Sequence, residues 1–109
     1  MNVRLYFWQR LSAAVMAPLL IVHLALILFA GAKGLSAADV LARTRGSLLW
    51  ALFYGTFVAA AAIHASIGLR NVLIEWTNWA QKARDVASLA FGLALAGLGA
   101  RAVVAVILP

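Results

Sequence analysis

His64 is the residue with the most informative chemistry, because it lies in an uncharged apolar segment that runs from Gly46 to Leu69. An imidazole in membrane hydrocarbon is costly unless it has a partner, commonly a metal or a buried hydrogen-bond acceptor. His64 is therefore a candidate axial ligand of a haem iron, with its second ring nitrogen held by a carbonyl, a hydroxyl or water. The alternative is an imidazole that only forms a hydrogen bond between helices.

The helix face that carries His64 is predicted to contact protein and not lipid. Asn71 and Glu75 return to this face at helical spacing, which places an amide below the imidazole and a carboxylate at the membrane boundary. The same face carries small residues at every fourth position, which are Thr56, Ala60 and Gly68. Small residues allow another helix to approach closely, and Gly68 leaves room for a flat ligand beside the imidazole.

A second histidine, His23, lies near the middle of the first apolar segment. If Arg10 and Arg70 mark the same membrane boundary, the two imidazoles differ in depth by about 10 Å at the rise of an α-helix. Two ligands of one upright haem should be nearly level, so another chain is expected to supply the second ligand. His23 is expected to be a packing histidine with a polar partner, and a second haem or an outer quinone site are the alternatives.

The composition predicts an all-α membrane protein with three transmembrane helices. Hydrophobic residues make up 66% of the chain and charged residues 11%, with a mean hydropathy of +1.01, whereas soluble domains are about half apolar and a quarter charged. Three segments can each cross a hydrocarbon layer of roughly 30 Å, at about residues 11–32, 46–72 and 86–108 of a single domain, 1–109. This plan leaves no room for a soluble domain that binds a nucleotide or carries out hydrolysis.

Charge and cysteine content exclude several classes of function. The net charge is +6, but the nine Lys and Arg residues are distributed over span ends and loops, which argues against nucleic-acid binding. The chain has no cysteine, so it contains no disulfide, thiolate zinc site or iron–sulfur ligand. Ala30-Gly31-Ala32 has the form of a signal-peptide cleavage site, but the preceding apolar run is too long for a signal, so no cleavage is expected.

Basic residues predict the orientation of the chain, because they accumulate on the cytoplasmic side of a membrane. Three lie in the first loop, which are Lys33, Arg43 and Arg45. Five lie on the side of the N-terminus and the second connection, which are Arg4, Arg10, Arg70, Lys82 and Arg84. We therefore expect a multi-pass protein of a bacterial inner membrane with a cytoplasmic N-terminus.

Two further patterns predict local structure. In the first loop, Ser36 followed by Asp39 forms a capping-box sequence that should begin a short surface helix. In the third span, small residues recur at every fourth position, which are Ser88, Gly92, Ala96 and Ala100. This stripe predicts that the third helix packs against protein.

Polar and aromatic residues are predicted to gather at the inner membrane boundary, and they are Tyr6, Arg10, Ser12, Arg70 and Trp76. Arginines can anchor haem propionates, and hydroxyl and indole groups can hold a quinone head group. Taken singly, each residue is also consistent with ordinary anchoring at the membrane interface.

The segments Gln9-Arg10-Leu11-Ser12 and His64-x-x-x-Gly68-x-Arg70 resemble the membrane-anchor subunits of succinate dehydrogenase and fumarate reductase. In the cytochrome b subunit of that family, the matching histidine is the haem b ligand. The resemblance implies that His64 is this ligand, that Arg70 contacts a propionate, and that Arg10 and Ser12 belong to the propionate and quinone region.

The segment from His64 to Gly68, followed by Val72-Leu73, is also similar to the smaller hydrophobic anchor subunit of the family. The sequence departs from the family patterns at three positions. Asn71 stands where the cytochrome b subunit has a second histidine, and Gln9 stands where it has the histidine before the arginine. Trp76 stands where the smaller subunit has its quinone tyrosine, beside Glu75.

This resemblance implies an anchor subunit of succinate:quinone oxidoreductase, the complex II that links the tricarboxylic acid cycle to electron transport. Such a chain would be half of a heterodimeric haem-binding bundle, with a second membrane-anchor subunit as its partner. It would anchor a flavoprotein and an iron–sulfur subunit, contribute to haem b and quinone binding, and hold no catalytic residue of its own. The alternatives are a haem-b or quinone anchor of another respiratory oxidoreductase, and a non-redox three-span membrane protein.

Overall fold

The computed structural model describes residues 3–108, so the ends of the predicted domain, residues 1, 2 and 109, lie outside the described residues. In this range the chain forms helices and no strands. The four helices are α1 (Val3–Lys33), α2 (Ala37–Thr44), α3 (Leu48–Trp76) and α4 (Gln81–Ile107). The helices α1, α3 and α4 are long and apolar enough to cross a membrane. The prediction of an all-α membrane protein with three spanning helices is confirmed.

Each long helix extends beyond the apolar segment from which it was predicted. Helix α1 begins at Val3 and α4 begins at Gln81, both before their predicted spans, and α3 continues to Trp76. Charged and aromatic residues at these ends are compatible with a helix, because the spacing of apolar residues records only where lipid lies and not where the helix stops. The membrane boundaries themselves stay predictions.

Helix α3 is the centre of the bundle, because it packs against both α1 and α4. On the α4 side, Ser66 Oγ donates a 2.7 Å hydrogen bond to the main-chain oxygen of Ser88. Ser88 and Gly92 are both buried in this contact, and a Cβ atom added at Gly92 would lie 2.8 Å from Ser66 Cβ. The beginning of the small-residue stripe therefore packs against α3, as predicted.

The stripe leaves the interface further along α4, where Ala100 is exposed. Eight residues turn an α-helix by 800°, so a strict fourfold pattern rotates away from its partner by about 80° between Gly92 and Ala100. Seven residues turn it by 700°, only about 20° short of two full turns. Accordingly Gly99 takes over the contact, and a Cβ atom there would overlap the side chain of Val58.

The connection between α2 and α3 caps the C-terminal end of α4. The last carbonyl groups of a helix have no partner within it, and a membrane offers them no water. Here Thr44 Oγ1 donates to the oxygen of Val106 at 2.8 Å, and the main-chain nitrogen of Gly46 donates to the oxygen of Ile107 at 2.7 Å. Gly46 has a φ of 69°, which favours glycine.

The predicted capping box of α2 is confirmed. Ser36 Oγ accepts from the main-chain nitrogen of Asp39 at 3.2 Å, and Asp39 Oδ2 accepts from the main-chain nitrogen of Ser36 at 2.8 Å. The main-chain N–H of Ser36, and after it the Ser36 hydroxyl, stabilise the Asp39 carboxylate and hold the pKa of Asp39 below its ordinary value. Because the pKa is lowered, the ionised carboxylate stabilises the start of α2 fully at pH values above the ordinary pKa of a carboxyl group. This stabilisation is lost as the pH falls through the lowered pKa.

Candidate functional site

The imidazole of His64 lies between α3 and α1, where it faces Gln9 and Ser12. Its Nδ1 atom is 3.3 Å from the main-chain oxygen of Gln9 and 3.5 Å from Ser12 Oγ. Because a carbonyl oxygen can only accept, the bond to Gln9 places a proton on Nδ1 and leaves the lone pair on Nε2. Among residues 3–108, Nε2 forms no hydrogen bond.

Gln9 is the residue that joins this site together. Its main-chain oxygen also accepts a 3.0 Å hydrogen bond from Ser12 Oγ, and its side-chain Oε1 accepts one of 3.1 Å from Asn71 Nδ2. Its side-chain nitrogen lies beside Gly68, where an added Cβ atom would be 3.7 Å away. The helical period predicts that Asn71 shares the face of His64, but no signal in the sequence indicates that Asn71 or Gln9 holds the imidazole.

The structure separates Ser12 from Arg10, although both belong to the predicted inner rim. Ser12 is 5% exposed and faces α3, whereas Arg10 is exposed, with its guanidinium carbon 5.8 Å from the ring centre of Tyr6. Two residues turn an α-helix by about 200°, so the two side chains leave α1 in nearly opposite directions. Tyr6 is 53% exposed and lies with Arg10 on the outer side.

Arg70 and Trp76, the other predicted rim residues, lie apart from this pair. Arg70 Nε forms a 2.8 Å ion pair with Asp85 Oδ1 on α4, and its side chain is 18% exposed. Because the carboxylate is half exposed, such a pair contributes about 0.2 to 1 kcal/mol. Trp76 ends α3 and is 81% exposed. The structure therefore brings His64 and Ser12 together, and Tyr6 and Arg10 together, but does not form one rim from the five predicted residues.

A cavity of about 470 Å³ lies toward the opposite end of the bundle from His64, and His23 lines it. The ring of His23 packs edge-on against Tyr54 and Phe57, each with a centroid separation of 5.6 Å. Its Nδ1 atom is buried and has no hydrogen-bond partner among residues 3–108. The packing role that the sequence predicts for His23 is observed, but the expected polar partner is not found in this range.

The two histidines lie at different depths, as expected from the sequence. His64 contacts Ser12 of α1, and His23 is eleven residues further along the same helix, which corresponds to about 16 Å at helical rise. One haem could not bridge both rings in this arrangement. Within residues 3–108 no group of three or more His, Cys, Asp or Glu side chains is placed to hold a metal ion.

These features define a multi-pass helical membrane protein that holds one half-buried imidazole by a main-chain carbonyl between two of its spans. The family described as succinate dehydrogenase/fumarate reductase transmembrane subunit matches residues 2–107, so the chain belongs to that family. No curated protein and no solved structure matches the chain. The resemblance stated from Gln9-Arg10-Leu11-Ser12 and the segment after His64 is thereby confirmed, and the role of the chain is that of a membrane anchor.

Proposed function

We propose that the chain is a membrane-anchor subunit of succinate:quinone oxidoreductase that binds haem b and contributes to a quinone site. The observation that carries this proposal is the 3.3 Å contact between His64 Nδ1 and the main-chain oxygen of Gln9. Histidines that bind a metal almost always donate their other ring N–H to a carbonyl, a carboxylate or water, which fixes the tautomer and the ring orientation. The residues around His64 therefore fit a haem iron bound at Nε2.

His64 would be the axial ligand that this chain supplies, and Gln9 would orient it. Haem, when bound, transfers single electrons. Because His23 is too far away in depth to bind the same iron, the second ligand would come from another membrane-anchor subunit. The other candidate, a purely interhelical hydrogen bond, accounts for Nδ1 but gives Nε2 no role.

The exposed residues at the inner end of the bundle are the candidates for quinone and partner contacts. Tyr6 and Arg10 together present a hydroxyl and a guanidinium at the surface of α1, and Trp76 presents an indole N–H at the end of α3. Donors of this kind can hold the head group of a quinone or a haem propionate. Ser12 would contribute less directly, because it is buried and its hydroxyl already donates to Gln9. Arg70 would have to share its charge with Asp85.

The orientation follows from the basic residues and defines where the partners would dock. With the N-terminus cytoplasmic, the connection between α3 and α4 lies on the same side, and Lys82 and Arg84 follow it in the first turn of α4. In a bacterial inner membrane, a flavoprotein and an iron–sulfur subunit would bind at this face. Electrons from succinate would then reach quinone near the inner membrane boundary.

Affinity purification of the chain from its native membrane tests this proposal. We expect an iron–sulfur subunit, a flavoprotein and a second hydrophobic subunit to be recovered with it, and the purified complex to show a b-type band on reduction. Recovery with the soluble subunits of a different oxidoreductase would contradict the assignment to succinate oxidation. Recovery of the expected subunits without a b-type band would confine the chain to anchoring.

Replacing Arg10 with alanine should slow quinone reduction about tenfold, while succinate oxidation by an artificial dye stays near normal. The reason is that a hydrogen bond to a charged group contributes about 1.5 to 3 kcal/mol, and Arg10 lies on an exposed face away from the α1–α3 contact. The two activities are measured on the same membranes. Arg101→Ala, which removes an exposed arginine near the end of α4, is the matched control. Equal loss of both activities in the Arg10 variant would indicate failed assembly and not a quinone contact.

A further inference from the structure

We propose that Gln9 and Asn71 form a positioning pair that fixes the tautomer and the orientation of His64. This inference rests on the proposed function, since it assigns these two residues to the same haem ligand. Asn71 Nδ2 donates to Gln9 Oε1 at 3.1 Å, and the main-chain oxygen of Gln9 meets His64 Nδ1 at 3.3 Å. One residue of α1 is thus bonded at both ends to one face of α3.

The spacing on α3 shows how a single glutamine reaches both partners. His64 and Asn71 are seven residues apart, so they lie on the same face about 10 Å apart along the helix. Gly68 lies between them, and a Cβ atom added there would be in ordinary van der Waals contact with Gln9 Nε2, at 3.7 Å, so the glutamine amide runs alongside this position.

The bond between the two side chains determines where the carbonyl of Gln9 lies. A main-chain carbonyl moves only with its helix, so it meets His64 only if α1 has the right height and rotation relative to α3. Ser12 Oγ bonds to the same carbonyl within α1 and lies 3.5 Å from His64 Nδ1, at the outer limit of a hydrogen bond. The bond from Asn71 to Gln9 also crosses between the helices and is shorter, at 3.1 Å, so we expect it to determine the height and rotation of α1.

Each amide of the pair is the hydrogen-bond partner of the other. Single and double substitutions should therefore differ in their effects. Removing one amide leaves the other without its partner, and an unsatisfied buried polar group destabilises a protein. Removing both with apolar residues of similar size leaves neither amide unsatisfied. The double variant Gln9→Met/Asn71→Leu should therefore assemble, while it loses the restraint on the imidazole.

The test in the complex measures haem retention and the midpoint potential of the haem in the double variant. Loss of a hydrogen-bonding partner of a metal ligand typically weakens metal affinity 10- to 100-fold. We therefore expect the affinity for haem to fall by a factor in that range and the midpoint potential to shift. Dye-coupled succinate oxidation should stay unchanged. Thr56→Val is the control, because it removes an exposed polar group of α3 eight residues before His64, which is about 12 Å along the helix. An unchanged potential and haem content in the Gln9/Asn71 variant would overturn the proposal.

A second measurement does not depend on haem. The full chain carrying His23→Phe retains His64 as its single histidine, so nitrogen NMR of the ¹⁵N-histidine-labelled chain in lipid micelles reports the tautomer of that ring alone. For the neutral imidazole, we expect the proton on Nδ1, which faces the main-chain oxygen of Gln9. Gln9→Met/Asn71→Leu should shift the population toward the Nε2–H form. A ring that carries its proton on Nε2 before the change, or a tautomer that does not respond to it, would refute the positioning role even if the complex proved to contain no haem.

Discussion

Alanine in place of His64 should abolish the b-type absorption band of the reduced complex. Within residues 3–108, His64 is the only histidine whose Nδ1 atom contacts a main-chain carbonyl oxygen while its Nε2 atom forms no hydrogen bond. Removing an axial ligand would remove one bond to the iron, and His23, the other histidine of the chain, lies too far away in depth to replace it. The measurement is the reduced-minus-oxidised spectrum of the purified complex, normalised to its flavin content.

His23→Leu is the matched control for this experiment, and it also distinguishes the roles open to His23. Since Nδ1 of His23 is buried without a partner in the described range, its replacement by an apolar residue should leave the band intact and should not lower stability. Loss of the band in the His23 variant and its survival in the His64 variant would exchange the two assignments. Partial loss of the band in each variant would indicate that each histidine binds a haem of its own.

Alanine at Gly92 should destabilise the pairing of α3 and α4 by about 1 to 3 kcal/mol, the usual effect of overpacking a close contact. Its Cβ atom would lie 2.8 Å from Ser66 Cβ and 3.0 Å from Ser66 Oγ. The hydroxyl could move away only by weakening its bond to the oxygen of Ser88, which contributes about 1 kcal/mol. The free energy of unfolding of the full chain in mixed micelles, followed by helix content, measures the effect.

Gly97→Ala provides the comparison, because nothing lies within 4 Å of a Cβ atom at that position. Alanine is a better helix former than glycine by about 0.5 to 1 kcal/mol, so this variant should be as stable as the original chain or slightly more stable. If both variants behaved alike, the tight contact at Gly92 would not determine the spacing of the two helices.

Local and repetitive signals made much of this structure predictable from the sequence. The three long helices follow from hydropathy, and the start of α2 follows from Ser36 and Asp39, which act over a single turn. The prediction that His64 faces protein required only the helical period. These features depend on neighbours a few residues apart, and such neighbours are visible in a sequence.

Features that depend on two distant segments were not predictable. Nothing near Gly46 indicates that its N–H meets Ile107, and nothing near Gln9 indicates Asn71. The rotation of α1 separates Ser12 from Arg10, although adjacent positions in a motif suggested a shared site. The partner of Arg70, Asp85, likewise became apparent only when α4 was placed beside α3.

The hairpin of α3 and α4 is fastened at both extremities, by Arg70 with Asp85 at one and by the hydrogen bond from Gly46 to Ile107 at the other. Within residues 3–108, the hydrogen bonds between α1 and α3 gather around Gln9 and Ser12, near one end of α1. Under mild denaturation, α1 should therefore dissociate from the bundle while α3 and α4 stay paired. Bleaching of the haem would then precede the melting of the hairpin, and the colour of the complex would report the integrity of a single helical contact.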